Sequence, residues 1–192
     1  MLRFLLSLSF LFILVGCDNN DYSPKPRAYH RIEFPIKSFE TINISGCPFT
    51  FEIPTYSVLK DDLSKGAKTC WKNIVFKNYN AQLHLSYYSI SPKSTLEQLT
   101  EDARSFVFKH TTKATAIDQQ NISYPEHKVS GLTYNIQGNT ASNFQFYATD
   151  SNKNYLRGAL YFNEKPNLDS IQPVLDFLKS DIQHLISTIR WK

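Results

Sequence analysis

Four period-two runs follow one another closely in the second half of the chain: Ala116–Ile122, Val129–Gln137, Phe144–Thr149 and Tyr155–Phe162. Alternating apolar and polar side chains mark a strand with one buried face. Gly138-Asn139 and Asp150-Ser151-Asn152 supply turn chemistry between runs. Connections this short cannot carry a crossover, so an antiparallel meander is predicted.

Upstream, the best alternation sets Ala81, Leu83, Leu85 and Tyr87 against Gln82, His84, Ser86 and Tyr88. Ile32/Phe34/Ile36 and Phe49/Phe51/Ile53 alternate too, and Tyr56–Leu59 and Trp71–Phe76 are shorter candidate strands. Asp61 to Lys68 is polar, contains Gly66 and reads as a loop. Pro92 ends the Ala81 strand, and Ser94 with Glu97 fits a capping box. Leu96, Leu99, Ala103, Phe106 and Val107 then predict a helix over Thr95–Thr112. A second helix follows from Leu168, Ile171, Leu175, Leu178, Ile182, Leu185 and Ile189, with Asp169 and Gln172 as its cap pair. Strands, helix, meander, helix make a single α+β domain, a largely antiparallel sheet with two main helices packed on it.

The N-terminus carries a different signal. Arg3 precedes an apolar run from Phe4 to Val15, too short to span a bilayer core. It ends in Leu14-Val15-Gly16-Cys17, which combines a small residue before a cleavage point with a thiol that accepts diacylglycerol. Residues 1–16 are therefore expected to be a lipoprotein signal peptide, with Cys17 the lipidation site. Each buried CH₂ contributes about 0.8 kcal/mol, so two or three acyl chains hold firmly without a transmembrane helix. Residues 17–28, polar with Pro24 and Pro26, read as a tether, and 29–192 as the folded domain.

Cys47 and Cys70 remain. An exported compartment favours a Cys47–Cys70 disulfide. Two separate buried thiols, or two thiols sharing a metal, are the alternatives, and two lone ligands so far apart lack zinc-site spacing. Net charge is +4 and scattered; Lys65, Lys68 and Lys72 read as solvated surface, so no nucleic-acid partner is expected.

The chemistry of an enzyme is missing. His30, His84, His110, His127 and His184 show no metal-ligand spacing, and there is no nucleophile elbow or phosphate loop. His110 reads as a helix C-terminal histidine facing the dipole, and Asp61, Asp62 and Asp150 as turn residues. Aromatic residues make up 14% of the chain. Tyr87, Tyr88, Phe144, Phe146, Tyr147, Tyr155, Tyr161 and Phe162 lie on strands, as core with amphipathic rims or as a face shown to a partner. No catalytic residue, metal or cofactor is expected.

Cys47-Pro48-Phe49-Thr50-Phe51-Glu52, Cys70-Trp71 and His110-Thr111-Thr112-Lys113-Ala114 resemble, in that order, a bacterial lipoprotein family. So do Gly138-Asn139-Thr140-Ala141-Ser142, Gln145–Ser151, Arg157–Phe162, Pro166–Ile171 and terminal Trp191-Lys192. The family is the gliding-motility lipoprotein family GldD of the Bacteroidota, and the resemblance runs from about Pro26 to Lys192. Departures are Thr140, where a second alanine is expected, and Asn154-Tyr155, near an expected His-Phe pair. The topology is similar to the PsbP/Mog1-like fold. The resemblance implies a role in surface gliding and the linked type IX secretion machinery. It implies no reaction, and only Cys17 carries over, as the lipidation site. The partners implied are the membrane, through the lipid, and other gliding or secretion envelope proteins. A location on the periplasmic side is favoured, since Asn19-Asn20 interrupt the acidic cluster of a surface-export signal. A periplasmic small-ligand-binding lipoprotein is the rival reading; it requires a deep apolar cleft between sheet and helix.

Overall fold

Alternation decides the strands. β5 (Ala81–Ser89) buries Ala81, Leu83 and Leu85 and turns Gln82, His84 and Ser86 the other way. A computed structural model describes residues 31–192; the proposed signal peptide, Cys17 and the tether over 17–28 lie outside the described residues. Residues 33–192 form one compact unit.

β1 (Phe39–Asn43), β2 (Phe49–Pro54) and β10 (Arg190–Trp191) make a small sheet in the order β1-β2-β10. A seven-stranded sheet adds β3 (Val58–Asp61), β4 (Lys72–Phe76), β6 (Ala114–Tyr124), β7 (Val129–Gly138), β8 (Phe144–Thr149) and β9 (Asn154–Phe162) to β5. Its order is β3-β4-β5-β9-β8-β7-β6, antiparallel throughout, so the predicted meander is present as β6 to β9.

The two helices cover opposite faces of the large sheet. α2 (Leu168–Ser187) buries Leu175, Leu178, Ile182, Leu185 and Ile186 in the main core, with Phe49, Phe51 and Ile53 of β2 and Leu83, Phe146, Leu156 and Leu160 of the large sheet. α1 (Leu96–Phe108) buries Leu99, Ala103 and Val107 on the other side, where Val107 meets Tyr134 and Ile136 of β7. The Tyr155 hydroxyl donates to the Leu99 carbonyl at 2.9 Å and ties α1 down. At Gly158 the sheet has no space for a side chain, since a Cβ would lie 2.1 Å from the Phe146 ring that fills the site.

Several local expectations are corrected. Ile32, Phe34 and Ile36 form no strand; β1 starts at Phe39, and Ile36 is 95% exposed. The capping box of α1 is one residue later than predicted. Thr95 accepts from the Gln98 N–H, and Gln98 accepts from the Thr95 N–H. α1 ends at Phe108, because the N–H groups of Thr111, Lys113 and Ala114 bond back to Phe108 and His110 and close a turn. At α2 the N-cap is Asn167, whose side chain makes no cap bond; Asn139 accepts from the Leu168 N–H at 2.7 Å instead. Lys72 is buried and ion-paired with Asp61 rather than solvated.

Cys47 and Cys70 are joined as a disulfide, Cα atoms 5.7 Å apart. One cysteine lies two residues before β2 and the other two before β4, so the bond links the small sheet to the large one. Closing a loop with a separation of 23 residues stabilises by about 3 kcal/mol in the chain-entropy account. Replacing both cysteines by alanine should lower the unfolding free energy by about that amount, read from denaturant curves. Reductant should reproduce the loss in the unsubstituted protein and leave the variant unchanged.

Candidate functional site

The residues that lead from the N-terminal segment into the body are held by a buried carboxylate. Asp181 sits on α2 with only 1% of its side chain exposed. Lys37 Nζ lies 2.7 Å from Asp181 Oδ1, and the Tyr56 hydroxyl donates to Oδ2. Burial pushes the Tyr56 phenol far above its usual range, and the hydrogen bond and charge of Asp181 add to that. Phe34 stacks on Phe177 of α2 at 4.3 Å, and the Lys37 ammonium lies 4.5 Å from the same ring. A charge removed from water needs partners that remain in place, so Asp181 fixes the arm over residues 33–38 to the core-forming helix. The sequence holds one signal of this, an aspartate directly beside Ile182 of the apolar stripe.

A second polar constellation lies on the α1 side of the large sheet. Gln145, Ala159, His84 and Asn73 are successive cross-strand neighbours on β8, β9, β5 and β4, and therefore share a face. In the next row of that face Arg157 stands between Tyr147 and Ser86. One Arg157 nitrogen donates to Gln145 Oε1 at 2.6 Å, and the guanidinium lies 4.7 Å from the Phe106 ring of α1. Gln82 is 2.9 Å from His84 Nε2. Burial lowers the His84 pKa; Asp62 opposes this and Arg157 reinforces it. His110, just past α1, is also shifted down by burial and by Arg157.

The remaining sequence candidates are structural. Asp150 Oδ1 accepts the N–H groups of Asn152, Lys153 and Asn154 in the β8–β9 turn, which hold its pKa below the usual value against desolvation. Asp62 accepts the Ser64 N–H. His184 contacts Glu52 at 2.6 Å and stacks on Phe39, while His127 faces Glu126 in a turn. Among the described residues no group of three His, Cys, Asp or Glu is placed to hold a metal. Between sheet and α2 the side chains close up, with Leu83, Leu156, Leu160 and Leu178 fully buried. A surface groove of about 870 Å³ runs between β1 and β3, past Ile42, Ile44, Leu59 and Leu63. The aromatic strand residues divide between the faces. Phe144, Phe146 and Phe162 join the main core, whereas Tyr147 and Tyr155 stack at 5.3 Å on the α1 side.

Two outcomes follow from this geometry. Lys37→Met leaves Asp181 without its cation; it should cost about 1–3 kcal/mol, discounted because Lys37 is partly exposed, and should expose residues 31–38 to limited proteolysis. The two histidines bind protons more readily unfolded, at about 6.5, than folded. Their contribution is therefore complete above that pH and is lost as pH falls through it. The melting temperature should drop between about pH 7.5 and pH 5.5, and the double variant His84→Gln/His110→Gln should flatten that slope.

Comparison with solved structures gives the fold. The Ran-binding protein Mog1p of Saccharomyces cerevisiae matches with a TM-score of 0.50 at 9% identity, covering 81% of this chain and 96% of Mog1p. Cyanobacterial PsbP (CyanoP) from Synechocystis matches at 0.47 with 13% identity, covering 88% of this chain and 100% of its own. The architecture is α+β, and the likeness to Mog1p is one of fold alone. No curated protein matches the sequence. No helix among the described residues is long and apolar enough to cross a membrane. The model of the family described as gliding motility lipoprotein GldD matches residues 19–191, nearly the whole chain, and the protein belongs to that family.

Proposed function

We propose that this protein is a non-enzymatic, lipid-anchored accessory subunit of the gliding machinery, linked to type IX secretion and facing the periplasm. Family membership over residues 19–191 is the observation that carries this reading. Three features support it. The sequence up to Cys17 has the charge, apolar length and cleavage residues of a lipoprotein signal. The arm that follows the tether is fixed to α2 through Asp181, so a pull from the membrane is delivered to the main core. Asp150 and Asp62 are committed to turns and His184 to Glu52, roles that suit a mechanical or scaffolding body.

Lipid attachment at Cys17 would keep the body at the membrane surface while leaving it hydrated. Two or more acyl chains are needed for attachment that persists, which the bacterial triacyl or diacyl terminus provides. In-frame deletion should abolish colony spreading and single-cell gliding, and secretion of type IX substrates should fall in the same strain. Cys17→Ala should leave the body folded but release it from the membrane fraction, with gliding lost. A deletion strain that glides normally overturns the motility reading; a Cys17→Ala protein that stays membrane-bound overturns the anchor.

A further inference from the structure

We propose that the α1-side face of the large sheet binds a small molecule bearing an oxyanion, a carboxylate or a phosphate group, through Arg157, Gln145 and His84. This goes beyond the anchoring and motility reading and does not depend on it.

Around Arg157 and Gln145 the face carries donors without a charged acceptor, while the one unpaired acceptor of the row, Asn73 Oδ1, lies at its far end beyond His84. Arg157 is half-buried, and among the described residues no carboxylate oxygen lies within 4.0 Å of it. A guanidinium out of bulk water is normally paired, because its desolvation is otherwise uncompensated. Here its one recorded hydrogen bond, to Gln145 Oε1, uses a neutral acceptor. Gln145 itself is 99% buried, and its Nε2 has no partner. The same amide therefore holds the arginine and carries an orphan donor beside it. Buried donors without acceptors are rare, and each requires an explanation such as a bound ion or ligand.

The surroundings select the sign and size of the ligand. His84 stands one row from Arg157 on the same face, and burial first and then the arginine disfavour its protonation. The His84 ring and the guanidinium on one face form a hydrogen-bonding surface whose one fixed positive charge is Arg157. The nearby carboxylates, Asp62 toward His84 and Asp102 toward Tyr88 and Tyr155, act at longer range and form no ion pair with the arginine. The carbonyls of Phe108 and His110 at the end of α1 accept from Thr111, Lys113 and Ala114, which masks the negative end of the helix from an approaching anion. Ala159, between Gln145 and His84, contributes only a methyl group and is itself buried beneath the polar side chains around it. Phe106 lies against the guanidinium on one side, its ring centroid 4.7 Å from Cζ, and the nitrogens that Gln145 does not use are left to donate to an oxyanion.

The test uses the full chain purified in a non-ionic detergent, with the imidazole signals of His84 followed by NMR. Titration with inorganic phosphate and, separately, with acetate should give saturable shifts at the His84 ring and raise its apparent pKa. Whichever anion saturates at lower concentration identifies the phosphate or the carboxylate class. Arg157→Gln should weaken the response at least about tenfold. If that variant does not fold, Gln145→Glu supplies an internal carboxylate to the guanidinium and should remove anion binding from a folded protein. Absence of saturation in the unsubstituted protein overturns the proposal, as does an equal response to chloride or an unchanged response in Gln145→Glu.

Discussion

β5 and β9 meet along nine residue pairs, from Ala81 opposite Phe162 to Ser89 opposite Asn154, and this pairing joins the two halves of the molecule. On one side of it lie β4 and β3, on the other the β8-β7-β6 meander. Leu83 and Leu85 of β5 share a face with Leu160 and Gly158 of β9, and α2 closes over that face with Leu178 and Ile182. Without the pairing, neither half has enough apolar surface under cover to offset the entropy of ordering its chain. The small sheet adds Phe49 and Phe51 to the same core, held by the disulfide and by the C-terminal residues. Trp191 Nε1 donates to the Lys128 carbonyl, and Lys192 Nζ to Asn43 and Cys47, so the last residues fasten β2, β1 and the start of β7.

The opposite face of the same pairing has a different character. Where α2 covers apolar rows, α1 covers only the part near β8, β9 and β7, and Gln82, His84, Ser86 and Arg157 remain polar and part-exposed. The division follows from the period-two rule: a residue that turns from the core must meet water or a second layer. One sheet thus carries an apolar face under α2 and a polar, partly exposed face on the α1 side. The arm over residues 33–38 docks on α2, the layer that stabilises the core, and the donor cluster lies on the other side.

Legibility differed by element in a physically intelligible way. β8 was readable to the residue, and β5, β7 and β9 nearly so, because alternation is a property of adjacent side chains. The helices were located correctly, but their caps were displaced. Ser94 and Asp169 looked like caps by composition, whereas Thr95 holds the dihedral angles of an N-cap and Asn139, distant in sequence, supplies the bond at α2. Ile32, Phe34 and Ile36 alternate like a strand but find no partner strand, so Phe34 is used for stacking on Phe177 instead. Arg157 and Gln145 read as ordinary polar-face residues of two strands; nothing local marks the guanidinium as lacking a carboxylate.

Local order along the chain determined the strand faces, the two helices, the short turns of the meander and the chemical character of the Cys17 segment. Each of these depends on neighbours within a few positions. Only the tertiary structure decided that β5 pairs with β9, that a two-residue β10 completes the small sheet, and that Lys72 is buried against Asp61. It also decided that Asp181 meets Lys37 and Tyr56, and that Arg157 stands beside an unpaired amide. These contacts join residues separated by up to 144 positions, and their energies depend on which surfaces close over them, which no short window of sequence encodes.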